Sequence, residues 1–155
     1  MRKLCIAVIF CMFFSGCASY KNDVPVQLIA TTLCKKIECS ENLAEASPDY
    51  IKYCMDSDLS LFSEYIVLYP FAGIEYNEIG IFKVKSLDDI KAATAEIDRY
   101  ILFKKSNWDT RYLNDEFKKT DNSKPIICGN YIFYTILSKE ESNAAINIFE
   151  KLIKK

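Results

Sequence analysis

The sequence predicts a two-layer α+β domain: a four-stranded, mainly antiparallel sheet built from two hairpin-helix units and preceded by two N-terminal helices. Three observations predict it. Short aromatic and β-branched runs alternate with segments whose apolar residues recur at helical spacing. Two Ser-led acidic turns, Ser86-Leu87-Asp88-Asp89 and Ser138-Lys139-Glu140-Glu141, start helices directly after such runs. The two halves also repeat one order of elements, with Phe82 matching Tyr134, Val84 matching Ile136 and Ala92-Ala93 matching Ala144-Ala145.

Taken in chain order, Val26, Ile29, Leu33 and Ile37 predict a first amphipathic helix over 25–38. Ser47-Pro48 starts a second, with a hydroxyl cap followed by proline at the first helical position, and carries Tyr50, Ile51 and Cys54. Tyr65 to Tyr69 is a strand that stops at Pro70, and a loop with Gly73 and Asn77 leads to its partner, Ile79 to Lys85. In that partner Phe82 and Val84 face one side, Ile81 and Lys83 the other. A long helix follows Ser86 through Leu87, Ile90, Ile97 and Ile101, breaks at Ser106-Asn107, and resumes through Trp108, Tyr112, Leu113 and Phe117. Pro125 to Cys128 and Tyr131 to Leu137 form a second hairpin about Gly129-Asn130. The last helix sets Ala145, Ile148, Phe149 and Leu152 on one face.

Ahead of the domain, Arg2-Lys3, an apolar run from Leu4 to Phe14 and the ending Ser15-Gly16-Cys17 follow the plan of a secretory signal. The run is eleven residues, against about 20 for a helix crossing the hydrocarbon core. The ending resembles the lipobox of bacterial lipoproteins, with Phe14 at the position where leucine is usual. That resemblance implies a signal peptide over 1–16 and fatty acylation, of the palmitate kind, at Cys17. A two-chain anchor of this sort holds stably to a membrane, whereas one chain holds marginally. The expected location is the extracytoplasmic side of the cell membrane, with 17–24 a short polar tether and 25–155 a single domain. Ordinary signal cleavage near Cys17 or Ser19 and an uncleaved anchor are the alternatives.

Cleavage before Cys17 leaves 139 residues, enough for one core. Without Arg2 and Lys3 there are 18 basic against 21 acidic side chains, a formal charge of −3. This argues against nucleic acid or an anionic membrane surface as the main partner. Of seven cysteines, Cys34, Cys39, Cys54 and Cys128 remain in the domain apart from Cys17. They read either as disulfides in one of three pairings or as thiols acting as small apolar side chains.

The chain has no histidine, which removes imidazole-dependent nucleophiles and metal sites. Gly73, Gly80 and Gly129 form no phosphate-cradling pattern, so no nucleotide is expected. The cysteines lack the paired short spacings of a zinc site, and Asp56-Ser57-Asp58-Leu59-Ser60 fails as a calcium loop because Leu61 and Val67 stand where glycine and glutamate belong. Asp88-Asp89 and Glu140-Glu141 read as charges on helix starts. Glu75 and Glu78, near the first hairpin turn, are the carboxylates with no cap to serve. No metal or cofactor is expected.

One surface exceeds this background. With both later helices placed over Phe82, Val84, Tyr134 and Ile136, the opposite face presents Ile79, Ile81, Lys83, Tyr131 and Phe133, and so much apolar area needs a cover. The cover is either the two N-terminal helices or a partner, which makes these five residues the candidate partner-binding face. The expected function is a non-enzymatic, membrane-tethered binding or structural module of the cell envelope. The alternative is an exported enzyme using carboxylate or thiol chemistry.

Tyr65 to Tyr69, Glu78-Ile79-Gly80-Ile81-Phe82-Lys83, the long helix, Tyr112 and Gly129-Asn130-Tyr131 carry a wider likeness. Through them the stretch from Ile29 to Phe149 resembles a family of uncharacterised bacterial lipoproteins, the domain of unknown function 4358. Relatives commonly place proline after the tyrosine corresponding to Tyr112, where this chain has Leu113-Asn114. The resemblance implies the lipoprotein nature and the α+β fold, and no catalytic residue.

Overall fold

The computed structural model describes residues 19–37, 42–71, 76–107 and 114–155; Cys17, Cys39, Gly73, Glu75, Trp108, Tyr112 and Leu113, named above, lie outside them. The elements are α1 (Val26–Cys34), β1 (Leu43–Glu45), β2 (Phe62–Pro70), β3 (Glu78–Val84), α2 (Ile90–Ser106), α3 (Asn114–Asp121), β4 (Ile126–Cys128), β5 (Tyr131–Ile136) and α4 (Lys139–Ile153). The class is α+β, with one antiparallel sheet in the order β1-β2-β3-β5-β4.

Both predicted hairpins form, and they meet along a β3–β5 seam that sets Ile81 opposite Phe133 and Gly80 opposite Tyr134. Gly129 makes the second turn with a φ of 60°, a conformation open to glycine at little cost. The predicted helix starts are also present. The Ser138 hydroxyl accepts from the Glu141 amide while the Glu141 carboxylate reaches back to the Ser138 amide. Ser86 accepts from the Asp88 amide at 3.2 Å.

Four expectations need correction. The sheet has five strands, because Leu43–Glu45 pairs with the end of β2 as an edge strand too short to show an alternation. The second N-terminal helix is a single π-helical turn, Tyr50–Cys54. The two hairpin-helix units do not send their helices to the same side, so the fold has three layers. Finally, the polar tether is part of the domain from Ser19 onward. Tyr20 bridges Lys154, the Lys21 amide donates to the Ile153 carbonyl at 2.8 Å, and the Tyr131 hydroxyl donates to the Val24 carbonyl at 2.7 Å.

The third layer follows from burial. Every residue of β5 is buried, and in β3 only Lys83 is not, so both sheet faces must be covered. Five strands span about 19 Å while one helix is about 10 Å across, so α1 alone covers too little of its face. α4 supplies the rest, packing Ala145, Phe149 and Ile153 beside Val26, Ile29 and Leu33 of α1 over Ile79, Ile81, Tyr131 and Phe133. α2 covers the other face through Ala93, Ile97, Tyr100 and Ile101, joined by Ile51 and Met55 from the π-helical turn.

The proposed partner-binding face is therefore interior. Ile79, Ile81, Tyr131 and Phe133 are fully buried, and Phe133 stacks on Phe149 with ring centroids 4.5 Å apart. Lys83 is half-buried and pairs with Glu64 at 2.7 Å. That bond holds the Glu64 carboxyl below its usual range and the Lys83 ammonium above its own. No helix among the described residues is long and apolar enough to cross a membrane.

Candidate functional site

β3 places Glu78 in phase with Gly80, Phe82 and Val84, so its side chain enters the core under α2 instead of leaving through a turn. It is fully buried. An isolated carboxylate there would cost several kcal/mol, roughly, so partners are obligatory. The Tyr134 hydroxyl donates to Oε1, the Tyr100 hydroxyl donates to Oε2 at 3.1 Å, and the Lys104 ammonium forms an ion pair with Oε2.

Gly80 makes this possible. A Cβ at position 80 would stand 2.0 Å from Tyr134 Cε1. The bare backbone lets the tyrosine ring cross the strand to reach Glu78.

A second layer of tyrosines surrounds the first. Since Tyr100 gives its proton to Glu78, Tyr50 is the donor in the 2.8 Å contact between the Tyr50 and Tyr100 hydroxyls. Tyr50 stacks on Tyr69, centroids 4.7 Å apart, and the Lys104 ammonium lies 4.3 Å from the Tyr76 ring centre. Burial, then the Glu78 charge, pushes the hydroxyls of Tyr134 and Tyr100 well above the ordinary tyrosine range and that of Tyr76 up to about 12. All three remain protonated donors at neutral pH. The cluster fixes a buried charge and holds the Tyr100 ring in place.

The outer side of Tyr100 belongs to a groove. Arg99, Tyr100 and Phe103 of α2, Tyr53 and Cys54 of the π-helical turn, and Met55 and Asp56 just after it enclose about 320 Å³. The groove runs on into a more polar stretch of about 510 Å³ lined by Lys52, Ser57, Asp58 and Glu96 as well. Tyr53 and Phe103, 68% and 57% exposed, stand at its apolar end.

The polar stretch begins at a left-handed residue. Asp56 has a φ of 52°, a conformation that Asp adopts more readily than most side-chain-bearing residues. Arg99 clamps it there, donating from Nη2 to the Asp56 carbonyl at 2.7 Å and to its carboxylate at 3.0 Å. Glu96 accepts from the Asp58 amide at 3.0 Å and Asp58 accepts from the Ser60 amide at 2.8 Å; hydrogen bonding from the Ser60 side chain, then from its amide, lowers the Asp58 carboxyl from its usual range. Between them Ser57 is buried, and its hydroxyl oxygen has no hydrogen-bond partner among the described residues.

The structure thus separates the residues that the sequence singled out. Glu78 is a buried strand residue, Asp88 and Asp89 lie in the first turn of their helix, and Glu141 closes a capping box. Cys54 and Cys128 carry free thiols; Cys54 is exposed on the groove wall, contrary to a buried apolar role, while burial pushes the Cys128 thiol up. Among the described residues no three metal-ligating side chains converge. Sequence reasoning missed the groove, for which the only signals were the Asp56-Ser57-Asp58 run, dismissed as a failed calcium loop, and a Phe103 out of phase with the buried face of α2.

Residues 35–137 match the family described as Domain of unknown function (DUF4358), a span that begins just after α1 and ends just before α4. No curated protein matches the chain, and no solved structure does.

Proposed function

We propose that this chain, which belongs to the family described as Domain of unknown function (DUF4358), is a lipoprotein held through Cys17 on the extracytoplasmic side of the cell membrane, and that its domain is a non-enzymatic binding module. Support for the anchor is the charged, apolar and small-residue order of 1–16 followed by cysteine. Cells fed a labelled fatty acid are expected to pass the label to the wild-type protein and not to Cys17→Ser, which stays as precursor or leaves the membrane fraction. Wild-type protein that takes up no label would sink the anchor.

The observation that carries the binding reading is the groove beside Tyr100. It combines exposed rings, an Asp held in the left-handed conformation and a buried hydroxyl that has no partner among the described residues. Its occupant is a segment of an envelope protein that places an apolar side chain beside a lysine or arginine. The apolar group meets Tyr53 and Phe103. The cation meets Asp58 and Glu96, whose carboxylates line the polar stretch.

Short peptides holding adjacent phenylalanine and lysine are the probe, with amide chemical shifts as the readout. Shifts are expected at Tyr53, Ser57 and Phe103. Asp58→Asn combined with Glu96→Gln is expected to weaken binding about tenfold, the equivalent of about 1.4 kcal/mol from two rim ion pairs. Equal affinity in that variant, or a neutral oligosaccharide binding the same residues in preference, would overturn this occupant.

The rival reading is an exported enzyme using thiol or carboxylate chemistry. One observation favours it: Cys54 lines the same groove. Glu78 lies under Tyr100 with both oxygens engaged, so on this reading the Cys54 thiol is the nucleophile candidate, beside the groove carboxylates of Asp58 and Glu96. Alkylation of Cys54 that leaves peptide binding intact would separate the two readings.

A further inference from the structure

The attachment of residues 19–24 to the end of α4 changes what an anchor at Cys17 does to the domain. The Lys155 amide donates to the Ser19 carbonyl at 3.0 Å, Tyr20 bridges Lys154, and the Lys21 ammonium donates to the Leu152 carbonyl at 3.1 Å. Tyr20 also packs against the core formed by α1, α4 and the sheet. In sequence only Ala18 separates Cys17 from docked Ser19, so the acylated residue reaches about 7 Å at full extension. A leash that short cannot let the domain turn freely over the bilayer.

Charge points the same way. Residues 19–24 and 150–155 hold four lysines, Lys21, Lys151, Lys154 and Lys155, against two carboxylates, Asp23 and Glu150, in a chain whose formal charge after cleavage before Cys17 would be −3. Lys151, Lys154 and Lys155 are exposed. A polybasic rim within a Debye length of an anchor is attracted to anionic headgroups.

We infer that the end of the domain carrying Ser19 and the α4 C-terminus seats on anionic phospholipid headgroups, fixing the orientation of the anchored protein. This rests on the lipid anchor proposed above. The apolar end of the groove is then held clear of the bilayer. It lies on the opposite sheet face, and its Phe103 is thirteen residues along α2 from Ile90, or about 20 Å from the seated end of the sheet.

The test uses the acylated full chain, purified from membranes and reconstituted into vesicles of phosphatidylcholine with or without phosphatidylglycerol, with amide hydrogen exchange as the readout. In the anionic vesicles exchange over 19–24 and 150–155 is expected to slow several-fold relative to detergent, with no change around Phe103. The slowing should be lost in the Lys151→Glu, Lys154→Glu, Lys155→Glu variant, which remains acylated. Acylated protein whose exchange is unchanged at that end, or slowed equally around Phe103, overturns the orientation and leaves the anchor standing. Protein whose mass shows no acyl chain removes both.

Discussion

Glu78→Ala is expected to remove most of the stability of the domain. The substitution leaves the Lys104 ammonium without its counter-ion and the Tyr134 hydroxyl without its acceptor, while the Tyr100 hydroxyl keeps its contact with Tyr50. Breaking a buried ion pair from one side costs about 3–5 kcal/mol, and the orphaned Tyr134 hydroxyl adds about 1–3 kcal/mol. Lys104 keeps a route to solvent, since 13% of its side chain is exposed, which favours the lower end of the first figure. The sum still approaches the 5–15 kcal/mol, roughly, that holds a domain together. Glu78→Gln keeps an acceptor for Tyr134 and is expected to lose about half as much. Urea unfolding measures both, and a loss below about 1 kcal/mol for Glu78→Ala would show that the cluster is not closed in solution.

Phe133→Ala is expected to cost about 3–5 kcal/mol. Phe133 is fully buried at the centre of the seam and lies face to face with Phe149 of α4. Part of the loss, about 0.5–1.5 kcal/mol, belongs to the ring pair itself and should appear as a coupling between Phe133→Ala and Phe149→Ala. An unchanged melting temperature would mean that α1 and α4 do not cover this face in solution. The partner-binding reading of Ile79, Ile81, Lys83, Tyr131 and Phe133 would then return.

The elements legible in the sequence are those whose signals are local. The β2–β3 hairpin, the stop at Pro70 and the hydroxyl caps at Ser86 and Ser138 depend on neighbours within a few residues. The side to which each helix turns does not. Ser86 and Ser138 follow strands of similar pattern, yet α2 and α4 take opposite faces, a choice set by the apolar area left over once α1 has docked. The three residues of β1 are too few to alternate. Glu78 was legible in part: spaced by two from Gly80, Phe82 and Val84, it falls on the buried parity of its strand, and a carboxylate there should have been paired with distant donors. Those donors, Tyr100, Lys104 and Tyr134, are ordinary residues until the helix and the seam gather them.

The bridge between Tyr20 and Lys154 makes the described chain a ring, and a ring has an order of assembly. Lys21 and Leu152, which share one of its bonds, are 131 residues apart. Each doubling of a loop adds only about 0.6 kcal/mol to its closure, so the separation is thermodynamically mild. Its effect is on timing, because contacts this distant form after local hairpins and helices. Residues 19–24 find their partners only when the last turn of α4 exists. On the export route proposed above, residues 19–24 would therefore stay undocked until the rest of the chain has crossed, and their docking would then shorten the leash to the anchor.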